Sequence, residues 1–259
     1  MFLENAHELQ SSPQRIISLV PSQTELLWYL GLEQETVGIT KFCVHPKGWL
    51  TSKTIIGGTK DLRIEKIKEL NPDLVIANKE ENVKDQVEAI AAVYPVWLTD
   101  VNNLEDAKTM ISDIGALTRS AGKAMRLVED ISHGFSQVDK LLPPIKTAYL
   151  VWRDPLMTIG GDTFIHDMME KCGLHNICAG AARYPAITVS DLVRLECQLL
   201  LLSSEPYPFN EKHKDELQAL LPSTKIMLVN GEMFSWYGSR LLQSTVYFNE
   251  LVTSIKMFN

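Results

Sequence analysis

The sequence predicts an α/β protein of two lobes, each built on a central parallel sheet and joined to the other by a long, stiff helix. Three observations carry that prediction. Apolar runs of strand length alternate with helical periodicity before and after the middle of the chain, whereas Asn103 to Leu142 keeps helical spacing with no strand. About forty residues of helix interrupt an alternation that elsewhere uses short connections, which marks a seam. With 259 residues, the chain is also long enough for two domains of ordinary size. The expected division is an N-terminal extension over 1–13, an N-terminal α/β lobe over 14–117, a backbone helix over 118–143 and a C-terminal α/β lobe over 144–259, the lobes enclosing a cleft.

The first lobe opens with Arg15-Ile-Ile-Ser-Leu-Val20, a strand-length apolar run closed by Pro21. Ser22 is an N-cap candidate for a helix to Leu30, stopped by Gly31. Thr36 to Thr40 and Thr54 to Ile56 read as short strands, and Pro72 to Ala77 as a buried strand entered from the helix Ile64 to Leu70. Val83 to Val93 reads as a helix and Val96 to Thr99 as a strand. In the middle stretch Leu104, Ala107, Ile111, Ile114 and Leu117 share one face, Thr118 or Ser120 can cap a restart, and Leu127 to Leu142 continue the stripe until Pro143-Pro144. That second helix, about 22 residues, would extend roughly 33 Å.

The second lobe repeats the theme. Strands are expected at Thr147 to Trp152, Gln198 to Leu202 and Lys225 to Val229, with helices at Thr163 to Cys172, Ser190 to Cys197, Asn210 to Leu221 and Leu241 to Lys256. Glu65 to Ala77 and Ser190 to Leu202 match as pieces, which suggests a distant internal duplication.

Composition narrows the function. A chain 45% hydrophobic and 22% charged is globular, and a net charge of −7 argues against a nucleic-acid surface, which needs surplus Lys and Arg. Cys43, Cys172, Cys178 and Cys197 make no CxxC; a Cys172–Cys178 bridge is conceivable, but isolated thiols are expected. Met1 to Pro13 does not read as a secretory signal and no segment reaches eighteen apolar residues, so the sequence as written is expected in the cytoplasm; a truncated exported protein would look the same.

Ligands of parallel sheets bind outside the carboxyl ends of the strands, so the loops there carry most weight. Lys41-Phe42-Cys43-Val-His45-Pro46, Gly57-Gly58-Thr59-Lys60 and Asn78-Lys-Glu80-Glu81-Asn82 follow strands of the first lobe. Cys43 and His45, two apart on an extended segment, would point the same way and could hold zinc or iron with Glu80 or Glu81; the alternative is a packed thiol near a hydrogen-bonded imidazole. His7, His133, His166, His175 and His213 read as surface or structural. Gly57 to Lys60 lacks the phosphate-loop spacing, leaving Gly58, Thr59 and Lys60 as possible ligand contacts. Gly160-Gly161-Asp162-Thr163 reads first as a turn with a helix cap. Trp97, Trp152, Trp236 and Tyr237 sit at or past strand ends, where flat faces can stack on a planar ligand, and Arg153 and Arg240 could neutralise an anion. Trp236 and Tyr237 are expected on the second lobe. No spacing predicts a catalytic set, so an enzyme is not expected.

Arg15-Ile-Ile-Ser-Leu-Val-Pro-Ser-Gln-Thr-Glu-Leu26, Val37-Gly-Ile39, Ile56-Gly-Gly58, Leu70-Asn-Pro-Asp-Leu-Val-Ile76, Thr158-Ile-Gly-Gly161, Glu170 to Ile177 and Tyr184-Pro185 resemble, in order, ABC-transporter solute-binding proteins of the cobalamin and iron-siderophore type. The resemblance covers nearly the whole chain. It implies two Rossmann-like lobes on a rigid backbone helix, a noncatalytic monomeric receptor, and a cobalamin-like corrinoid or other metal chelate as bound ligand, with no cofactor required. Phe42, His45, Asn78, Glu80, Glu81, Trp152, Arg153, Tyr184, Trp236 and Tyr237 join Gly58 to Lys60 as expected ligand contacts. A permease would be the partner, in the periplasm or at the cell surface. Glu65 fits the docking carboxylate of the first lobe; the corresponding place in the second is Ser190, with Asp191 the nearest acid. The alternatives are a free metal-ion binder, or a cytoplasmic cofactor-handling protein or enzyme on the same scaffold.

Overall fold

The computed structural model describes residues 1–257, the side chain of His7 excepted, so the reading of that histidine lies outside the described residues. The chain separates into two compact units. The first holds Met1–Val101, Glu105–Ser132 and Trp236–Arg240; the second holds Asn102–Leu104, His133–Ser235 and the chain from Leu241.

In the first unit β1 (Ile16–Ser18) is followed by α1 (Pro21–Leu30), β2 (Thr36–Ile39), α2 (Trp49–Ser52), β3 (Thr54–Ile55), α3 (Ile64–Leu70), β4 (Leu74–Asn78), α4 (Lys84–Ala91) and β5 (Val96–Thr99). The strands pair in parallel in the order β3-β2-β1-β4-β5. β1 and β4 are buried throughout, as their unbroken apolar runs require. The order reverses between them, so the crevice outside their carboxyl ends is the topological switch point. α1 begins at Pro21 with Val20 as its N-cap, two residues earlier than a Ser22 cap would place it. Proline suits that first position because its fixed φ is helical and its missing N–H needs no partner. The segment expected as an extension contributes to the sheet: Leu3 N–H donates to Val96 O at 2.9 Å and Val96 N–H to Met1 O at 2.9 Å.

The middle stretch forms α5 (Leu104–Leu117) and α6 (Ala121–Ser136), broken where the sequence predicted. Arg119 is left-handed at φ 55°, and the Thr118 hydroxyl turns back to Ile114 O at 2.7 Å. α6 has 16 residues, about 24 Å, and stops short of the helix expected to reach residue 143. Beyond it the backbone finds other acceptors: Asp139 N–H donates to Asn249 Oδ1 at 2.8 Å and Leu141 N–H to Cys172 O at 3.0 Å.

The second unit continues with β6 (Ile145–Leu150), α7 (Phe164–Lys171), β7 (Leu174–Asn176), α8 (Val189–Arg194), β8 (Leu199–Ser203), α9 (Glu211–Leu220), β9 (Lys225–Val229), α10 (Glu232–Ser235) and α11 (Leu241–Lys256). Its parallel sheet runs β7-β6-β8-β9, with the switch point between β6 and β8. Ala148, Leu150, Leu192, Leu200, Leu202, Phe209 and Ile226 form part of its core. Thr163 caps α7, accepting from His166 N–H at 3.3 Å. The glycines before it admit neighbouring chain, since a Cβ on Gly160 or Gly161 would lie 2.3 Å from Ala181 O or 2.2 Å from Ala179 O. The matched pieces of the two halves fall at equivalent places: α3 leads into β4 and α8 into β8, each strand lying just across its switch point. The described cysteines are free thiols.

Candidate ligand-binding site

On the first unit the loop after β2 turns at once, with Cys43 N–H donating to Thr40 O at 3.1 Å and Val44 N–H to Phe42 O at 2.9 Å. Strand alternation therefore does not apply, and Cys43 and His45 part company. The Cys43 thiol is fully buried against the hydroxyls of Thr24 at 3.1 Å and Thr40 at 3.2 Å, and burial pushes its pKa up, the opposite of what a metal-binding thiolate needs. His45 instead stands edge-on to Trp236, ring centroids 5.4 Å apart. Among the described residues no group of three His, Cys, Asp or Glu is placed to hold a metal ion. Phe42 is 50% exposed and packs on Gly58, where a Cβ would come within 3.1 Å of its ring; the Lys41 ammonium lies 5.1 Å from the ring centroid.

The next two loops brace each other. Lys60 Nζ donates to Glu80 O at 2.5 Å, and Asn82 Nδ2 to Thr59 O at 3.1 Å and to Leu19 O at 3.3 Å. Asn78 is buried, its Oδ1 accepting from Glu80 N–H and Glu81 N–H and its Nδ2 donating to Thr99 O and Oγ1. Thr59 is buried as well, so Asn78 and Thr59 shape the rim while Glu80 and Glu81 are half-exposed on it.

The segment Trp236–Arg240 groups with the first unit, not with the lobe its place in the sequence suggests. Trp236 and Tyr237 are buried. Gly238 has φ +118° and lies over α1, where a Cβ would sit 3.2 Å from Ser22 O. Arg240 grips Glu25 of α1 with two hydrogen bonds of 2.9 and 2.8 Å, its guanidinium 5.1 Å from the Trp236 ring centroid.

On the second unit Trp152 is 43% exposed after β6 and meets the Tyr207 ring edge-on at 5.7 Å. Arg153 pairs with Glu216 at 2.6 Å, and its hydrogen bond to Tyr207, more than the nearby carboxylate, raises its pKa. Tyr207 also bonds His213 at 3.2 Å; because Asn210 N–H donates to His213 Nδ1, it is Nε2 that donates to the phenol oxygen. Phe209 completes this aromatic group. Tyr184 is half-buried in a segment that runs beside Thr158 and Gly160, through Thr158 N–H to Pro185 O and Gly160 N–H to Arg183 O. The sequence marks Glu205-Pro206-Tyr207 as a loop after a strand of the second lobe, but nothing in it singles out Tyr207 as a ligand contact.

Away from the rims, Glu65 is 80% exposed in the first turn of α3 and touches Lys68 at 2.8 Å. Asp191 is engaged in the capping box of α8: its carboxylate accepts from the Thr188 N–H and hydroxyl and from Arg194. Arg194 first, and then Thr188, lower its pKa to about 2.

A protein-family model described as periplasmic binding protein matches residues 16–220. The chain belongs to that family. Its members are solute receptors and not enzymes, and the family assignment extends that to this chain. Among curated relatives, an uncharacterized ABC transporter substrate-binding lipoprotein of Bacillus subtilis is 27% identical over 199 residues, 72% of this chain and 62% of that protein's own length, so less than two thirds of it is spanned. A vitamin B12-binding protein of Vibrio parahaemolyticus is 22% identical over 253 residues, 94% of this chain and 90% of the relative. Among solved structures, a periplasmic heme-binding protein of Vibrio cholerae superposes with a TM-score of 0.79 at 19% identity, covering 92% of this chain and 98% of that one. Such likeness establishes the fold, on which more than one ligand is carried. Among the described residues no helix is long and apolar enough to cross a membrane.

Proposed function

We propose that this periplasmic binding protein is the receptor of an ABC importer for a cobalamin-like corrinoid or a chemically similar metal chelate. The observation that carries the reading is the character of the two rims. Phe42 and Trp152 expose aromatic surface at the carboxyl ends of their sheets, and Arg153 and Arg240 already hold carboxylates. Aromatic surface bordered by hydrogen-bonding groups, the half-exposed acids Glu80 and Glu81 among them, suits a large flat ligand with amide edges better than one bearing carboxylates, which would call on arginines with no acid beside them. The match along 94% of the chain to a vitamin B12-binding protein supports the same choice. Lys60, His45, Glu80, Glu81, Tyr184, Trp236 and Tyr237 are the further contacts in this reading. Docking on a permease would use the exposed Glu65, while Asp191 is committed to its helix cap.

Titration with cyanocobalamin, a ferric siderophore, hemin and zinc, followed by tryptophan fluorescence and calorimetry, tests the reading. Saturable one-site binding of the corrinoid is expected. Silence with the corrinoid, or a tighter site for zinc or hemin, would overturn it.

A further inference from the structure

We infer that the Glu25–Arg240 ion pair is a latch that positions Trp236 on the rim of the first unit. The two residues are 215 apart in sequence, yet their side chains meet in a bidentate fork with exposures of only 8% and 7%. Arg240 closes a five-residue segment of the first unit whose flanking chain on both sides belongs to the second. Its one guanidinium does two things at once: its N–H groups hold the carboxylate of α1, and its cationic plane lies near the ring of Trp236, which also meets the His45 ring edge-on. Gly238, between them, lets the backbone settle onto Ser22.

Positioning explains this arrangement better than stability does. A buried ion pair can usually be replaced by apolar side chains of similar volume with no loss of stability, so its distinctive product is geometry. Here the geometry brings the only tryptophan of this segment beside the loop that carries Phe42 and His45. The consequence for ligand binding rests on the receptor reading above; the placement of the ring does not.

The test labels the full chain with 5-fluorotryptophan, which gives one ¹⁹F resonance for each of the five tryptophans, Trp236 being assigned through Trp236→Phe. Arg240→Lys keeps the charge and loses the fork. The double variant Glu25→Met with Arg240→Met removes both charges and is expected to fold. In both, the Trp236 resonance is expected to move and gain a solvent isotope shift while the other four hold, and cyanocobalamin affinity to fall about tenfold, the worth of one aromatic contact. If the double variant keeps the wild-type Trp236 resonance, the latch is overturned and the pair is structural only. A displaced ring with unchanged affinity overturns its role in binding. Failure of the wild-type protein to bind cyanocobalamin would sink the corrinoid reading alone, since the ¹⁹F spectra still decide the latch.

Discussion

The two rims use the same chemistry to opposite ends. Each sets an arginine between a glutamate and an aromatic ring: Arg240 with Glu25 and Trp236 on the first unit, Arg153 with Glu216 and Tyr207 on the second. The first pair is 7% and 8% exposed, the second 34% and 41%. In the dry site the charges are poorly screened and each depends on the other; at the wet one water and salt do most of the solvating. The difference teaches that a motif of residue types does not define a role until burial is known.

The sharpest break is Arg240→Ala, which strands Glu25 as a buried charge. A loss of about 3–5 kcal/mol in urea unfolding is expected, and a loss below 1 kcal/mol would show that water reaches the carboxylate. Next comes Trp152→Ala, which removes exposed aromatic surface at little cost in stability; cyanocobalamin binding measured by calorimetry is expected to weaken about tenfold. Unchanged affinity would leave the second rim without a part in binding.

Smaller effects sharpen the contrast. The capped Asp191 has its pKa lowered from the usual carboxylate range to about 2, so it contributes stability above the unfolded-state value near 4, and this is lost as pH falls through about 2. Wild-type protein and Asp191→Asn should therefore differ in stability at neutral pH and converge on acidification; a gap constant down to pH 2 contradicts the assignment. The smallest change is expected from Arg153→Ala, visible in thermal unfolding at low salt and erased by high salt. Persistence at high salt would mean that the second pair is shielded after all.

Much of the fold was legible because its signals are local. The apolar runs in Leu74–Asn78 and Leu199–Ser203 became buried strands, Gly31 ended α1, and Thr163 capped α7. β7, α2 and α10 escaped because three or four residues carry no period. α6 stopped early because acceptors on Asn249 and Cys172 took backbone donors that spacing alone had assigned to a helix. At the rims, the strand-end rule found the loops, but a turn after Thr40 sent Cys43 inward and left His45 to a tryptophan from far along the chain.

The sequence by itself determined two parallel-sheet units, the break in the middle helices and the family, since strand runs, caps and ordered motifs are properties of neighbours along the chain. Tertiary structure alone decided that Trp236–Arg240 packs with the first unit, that Arg240 is a partner of Glu25 before it is a site for anions, and that Asn78 and Cys43 serve the scaffold. The physical reason is that a side chain's charge, exposure and hydrogen bonds are set by whichever groups folding brings beside it, and for Arg240 that group stands 215 residues away.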